Sequence, residues 1–114
     1  MNRIKVLKEL VTFGKPVTVL SNSLSKFEWD YDGDPLVVEA SQIQVVLEGF
    51  IDGNYSSEDL EGWANLIEGR EDLEYEEQHH RSIETIIHSL ANPVLEGEIT
   101  EQSCRELLSI LRVQ

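Results

Sequence analysis

Apolar residues return at helical spacing four times along the last two thirds of the chain. Ile43, Val46, Leu47, Phe50 and Ile51 follow the i, i+3, i+4, i+7, i+8 rhythm of one helix face. Ser41 precedes them with Gln44 three residues on, the arrangement of a capping box. Leu60, Trp63, Ala64 and Ile67 repeat the pattern, with Ser56 or Ser57 to open the helix and acids in its first turn, where the helix dipole favours them. Ile83, Ile86, Ile87 and Leu90 form a third stripe, which Asn92-Pro93 stops. Cys104, Leu107, Leu108 and Leu111 form a fourth, with Thr100 as its N-cap. These stripes are the expected core, each side chain contributing roughly 1.5–3 kcal/mol of transfer energy on full burial.

The first forty residues carry a weaker signal. Ile4, Leu7 and Val11 suit a helix ending at Gly14, with Pro16 just beyond. Val17, Leu20, Leu24 and Phe27 fit another, although Val17-Thr-Val-Leu also reads as the start of a strand. The stretch EWDYDGDP, residues 28–35, reads as a turn or loop. Leu36, Val37 and Val38 read as extended. Short links are expected at 52–55, from Gly69 to about Glu76, and from Val94 to Ile99. The expected fold is therefore mainly α: one domain over residues 1–114, a bundle of five or six helices with one short extended segment near 36–38.

A chain of 114 residues matches the size of one domain and can hold a core without staples. Cys104 is the single cysteine, so no internal disulfide can form. No apolar run approaches the roughly 18 residues of a spanning helix. The N-terminal stretch MNRIKVLKELVTF is basic and apolar but is interrupted by Lys8 and Glu9, with no small-residue cleavage site after it. These features point to a cytoplasmic protein.

The charge is strongly uneven. Residues 1–26 hold five cations and one anion, +4; residues 27–114 hold four cations and 21 anions, −17. Such a surface repels nucleic acid and anionic membranes and attracts basic proteins. Motifs for chemistry are lacking. Asp30, Asp32 and Asp34 alternate like the first ligands of a calcium loop, but the loop's Gly and closing acid are replaced by Pro35 and Ser41. His80, Glu84 and His88 lie along one helix edge and include zinc-compatible groups, yet they flank the Ile83/Ile87 stripe, where a polar boundary is expected anyway. His79 points nearer the apolar side and reads as a core-edge histidine. Cys104 lies on an apolar stripe and reads as a buried thiol. No phosphate loop, nucleophile elbow or basic–aromatic patch is present, and neither catalysis, a metal nor a cofactor is expected.

Two acidic clusters carry aromatics. Glu28, Trp29, Asp30, Tyr31, Asp32 and Asp34 form the first; Glu71, Asp72, Glu74, Tyr75, Glu76 and Glu77 form the second. Tyrosine and tryptophan are enriched at binding hot spots, while charge sets association rate and orientation. These twelve residues are the candidate partner-binding positions.

The runs Trp63-Ala64-Asn65, Glu68-Gly69-Arg70-Glu71-Asp72 and Leu90-Ala91-Asn92-Pro93 lie within residues 41–100, about half the chain. That segment resembles a family of small acidic bacterial proteins. The family includes immunity proteins of contact-dependent inhibition and polymorphic toxin systems. The resemblance implies a toxin inhibitor and supplies no set of functional residues. With the charge, it leads to the expectation of a monomeric protein that occludes a basic toxin domain, of the nuclease kind, in a one-to-one complex. The alternative is an acidic helical adaptor or regulatory subunit for another basic host protein.

Overall fold

The computed structural model describes residues 2–27 and 33–113, the side chains of the last two of these apart. Among these described residues, seven helices and two short strands follow one another as α1 (Arg3–Val11), α2 (Val17–Leu24), β1 (Leu36–Val38), α3 (Ala40–Ile51), α4 (Ser57–Ile67), β2 (Leu73–Tyr75), α5 (His80–Ala91), α6 (Pro93–Glu96) and α7 (Glu101–Val113). A 3-10 turn over Glu77–His79 leads into α5. The mainly helical, single-domain reading holds. Six helices have eight residues or more, and α6 is a single turn that the sequence pattern did not separate from a link.

Each apolar stripe becomes a buried helix face. Leu60, Trp63, Ala64 and Ile67 of α4 and Ile83, Ile86, Ile87 and Leu90 of α5 are almost fully buried, and these two helices pack extensively on each other. Ile43, Val46 and Leu47 of α3 meet α7, which contributes Cys104, Leu108 and Leu111. Helix α1 closes the core with Val6, Leu7, Leu10 and Val11.

The cap of α4 is as expected: Ser56 Oγ accepts from Asp59 N–H, and Asp59 Oδ2 accepts from Ser56 N–H, both at 3.0 Å. Thr100 and Ser103 make the same reciprocal pair ahead of α7. The cap of α3 lies two residues earlier than the sequence suggested. Glu39 is the N-cap, and its N–H donates to Gln42 Oε1 at 2.9 Å, because Val38 ends a strand and the chain turns at once into the helix.

Other boundaries also move. Residues 17–20 are helical, so the strand reading of Val17-Thr-Val-Leu is excluded. The expected link from Gly69 to Glu76 contains β2, which pairs in parallel with β1 in the register Leu36↔Leu73, Val37↔Glu74, Val38↔Tyr75. Three residues are too few to show a period, and the acids around them disguise the strand.

Helix α1 stops at Val11, and the left-handed residue after it is Phe13 at φ 53° rather than a glycine. Phe13 N–H donates to the Leu10 carbonyl at 3.0 Å and Gly14 N–H to the Glu9 carbonyl at 2.8 Å, the paired bonds of a Schellman end. A bulky residue in this region is strained. Its ring compensates by stacking on Tyr55, with centroids 4.3 Å apart, and on Trp63 at 5.9 Å, all nearly parallel. Trp63 Nε1 then donates to the same Leu10 carbonyl at 2.7 Å, locking α4 to α1.

Candidate protein-binding surface

Helix α4 ends at Ile67, and Gly69 takes a φ of +79°, which turns the chain sharply toward β2. This turn, β2 and the outer edge of α5 enclose an open groove of about 700 Å³. Glu68, Glu74, Glu84 and Glu96 bring four carboxylates to it. His80, Glu84 and His88 stand on its α5 wall because residues four apart share a helix edge, here the one beside the buried isoleucines.

Tyr75 also lines the groove, half-buried, its ring 5.6 Å from that of His80. Burial, and then the charges of Glu68 and Glu84, push its phenol up to about 12. It stays a neutral hydrogen-bond donor throughout the physiological range.

The rim is held by a polar cluster. His88 Nδ1 lies 2.9 Å from Glu68 Oε2, and Asn92 Nδ2 reaches both Glu68 Oε1 at 3.4 Å and the His88 carbonyl at 2.9 Å. Glu96 Oε2 is 4.0 Å from His88 Nε2. The Glu68-to-Asp72 run and the Leu90-to-Pro93 run, distant in sequence, thus meet through Glu68 and Asn92.

Arg70 is the one Lys or Arg lining the groove among the described residues, and its charge is engaged inward. Its Nε donates to Asp72 Oδ1 at 2.8 Å and its Nη2 to Oδ2 at 2.9 Å. Arg3 Nε donates to the same Oδ2 at 3.0 Å, with its guanidinium 5.3 Å from the centre of the Phe27 ring. Asp72 is 1% exposed. Burial raises its pKa, but hydrogen bonds and charges from Arg70 and Arg3 together outweigh that cost and hold it below its ordinary value.

The second acidic cluster is therefore divided by strand geometry. Glu74 and Tyr75 reach the groove. Asp72 is consumed inside the protein and offers no charge to a partner. Glu71 borders a second recess, between the end of α2 and the 69–72 turn. Glu76 lies 2.6 Å from His79 Nδ1, and Glu77 is exposed in the 3-10 turn. Of the first cluster, Asp34 is exposed, while Glu28, Trp29, Asp30, Tyr31 and Asp32 lie outside the described residues.

The sequence pattern missed Glu68 and Glu96 as residues of the groove that Tyr75 lines. The i, i+4 spacing of His80, Glu84 and His88 was a usable signal for the opposite wall. Among the described residues, no three His, Cys, Asp or Glu side chains are grouped to hold a metal. Burial pushes the Cys104 thiol up to about 11, against a hydrogen bond from Ser103, so it is a thiol packed in the core rather than a poised nucleophile.

Comparison of the chain with protein-family models, curated proteins and solved structures found no match. The functional reading therefore rests on the charge distribution and on this groove. No helix among the described residues is long and apolar enough to cross a membrane.

Proposed function

We propose that this protein is an immunity-type inhibitor that binds a basic toxin domain, of the nuclease kind, one-to-one and blocks its active cleft. The observation that carries the reading is the groove: four glutamates line it together with a half-buried tyrosine, and the one arginine in its lining is already paired with Asp72. A protein that handles polyphosphate presents lysine and arginine in its own cleft, and glutamates can occupy the places of the phosphates. Coulombic attraction between such surfaces speeds encounter and fixes orientation, while each exposed pair adds little affinity. Tyr75 supplies the rigid amphipathic contact that a hot spot needs.

The test is co-expression with the C-terminal domain encoded by the gene directly upstream, followed by calorimetric titration of the purified pair. Rescue of growth together with a one-to-one complex is expected. Binding to a basic host protein, without rescue from any toxin, would favour the adaptor reading instead.

A further inference from the structure

Val94 and Leu95 are 97% and 76% exposed, more than any other large apolar side chains among the described residues. They are consecutive, and they sit on α6, the turn that Pro93 opens. The turn is firmly mounted. Leu95 and Glu96 N–H groups donate to the Asn92 carbonyl at 3.1 and 2.9 Å, and the Asn92 side chain is bonded back to the His88 carbonyl. The next residue, Glu96, lines the acidic groove.

Two whole aliphatic side chains held in water on a rigid turn gain nothing for the fold; their burial is left to be realised elsewhere. We infer that Val94 and Leu95 are the apolar anchor of the docking surface, seating in an apolar recess beside the lysine- and arginine-bearing patch of the protein partner. This rests on the reading above and deepens it. Charge complementarity selects the occupant. Glu96 closes the turn and Glu98 follows it, and both would repel a second copy of this acidic chain, whereas a cationic surface satisfies them as the aliphatics are covered. The two halves divide the work, with carboxylates governing association and the aliphatic pair governing residence time.

The test compares V94S/L95S with E74Q/E84Q in surface-immobilised kinetics against the C-terminal domain encoded by the gene directly upstream. Both pairs are solvent-facing, and thermal unfolding checks that each variant keeps its fold. V94S/L95S should raise the dissociation rate about tenfold or more with the association rate and its salt dependence unchanged. E74Q/E84Q should do the reverse.

An unchanged dissociation rate in V94S/L95S, with binding still impaired in E74Q/E84Q, overturns the anchor and leaves the groove reading standing. No binding by the wild-type protein at any salt overturns both. A wild-type dimer in sedimentation that V94S/L95S converts to monomer assigns the pair to self-association and also overturns the inference.

Discussion

Arg3 in the first helix donates to Asp72 in front of the second strand, across 69 positions of sequence and 3.0 Å of space. The contact joins the basic N-terminal part of the chain to its most acidic stretch. Asp72 is the hub, since Arg70 grips it from the other side. Stripping one partner from a buried ion pair leaves charge without compensation, which costs far more than an exposed pair contributes. Asp72→Asn should lower unfolding stability by about 3 kcal/mol, as measured by urea denaturation at neutral pH.

The same carboxyl predicts a pH effect with a definite sign. Its folded-state pKa lies below the unfolded value, so its contribution is complete at neutral pH. That contribution is lost as pH falls through the folded-state value, below about pH 4. Wild-type stability should therefore drop more steeply on the acid side than that of Asp72→Asn. Parallel acid limbs would mean that Asp72 is not the group responsible.

Phe13 gives an unusual ordering of substitutions. Phe13→Ala removes the ring stack and keeps a Cβ at positive φ; Phe13→Gly removes the same stack and relieves the backbone. The glycine variant should be the more stable of the two by about 1 kcal/mol, against the usual preference for alanine. Thermal denaturation of both variants checks it.

Gly49 supports the stack from behind. A Cβ there would come within 2.7 Å of Tyr55 Cε2. Gly49→Ala should displace the Tyr55 ring and cost about 1–3 kcal/mol, despite replacing a helical glycine by a better helix former. Loss of the Tyr55 to Phe13 ring-current shifts in proton NMR would accompany it.

Tyr75 should ionise well above the ordinary tyrosine value. An absorbance titration should show a phenol near 12 that disappears in Tyr75→Phe. Replacing Glu68 and Glu84 by glutamine should move it downward, because both charges oppose the phenolate.

Much of the fold was legible in the pattern because burial of one helix face imposes a period. The four stripes that begin at Ile43, Leu60, Ile83 and Cys104 all became core. Of the short elements, β1 was legible as the extended run 36–38, whereas β2 and α6 were not, since three or four residues show no period and tertiary contacts specify them. The candidate site was half legible. Its tyrosine and Glu74 came from the dense acidic run, but the arrival of Glu68 and Glu96 in the same groove depends on the turn at Gly69 and on α6 folding back beside His88. Asp72 shows the limit most clearly: in sequence it is one acid among many, and the fold brings Arg3 from the far end of the chain to join Arg70 on its buried carboxylate.

The central claim is that the acidic groove receives a basic protein surface. The most direct measurement is the association rate of the C-terminal domain encoded by the gene directly upstream, at low and moderate salt. It should be made with the wild-type protein, with E74Q/E84Q and with a variant carrying Asn at Asp30, Asp32 and Asp34. A rate that falls steeply with salt, and that slows and loses part of this dependence in E74Q/E84Q, is the predicted result. A rate unaffected in E74Q/E84Q but slowed in the aspartate variant would contradict the groove and place the contact on the 28–34 segment.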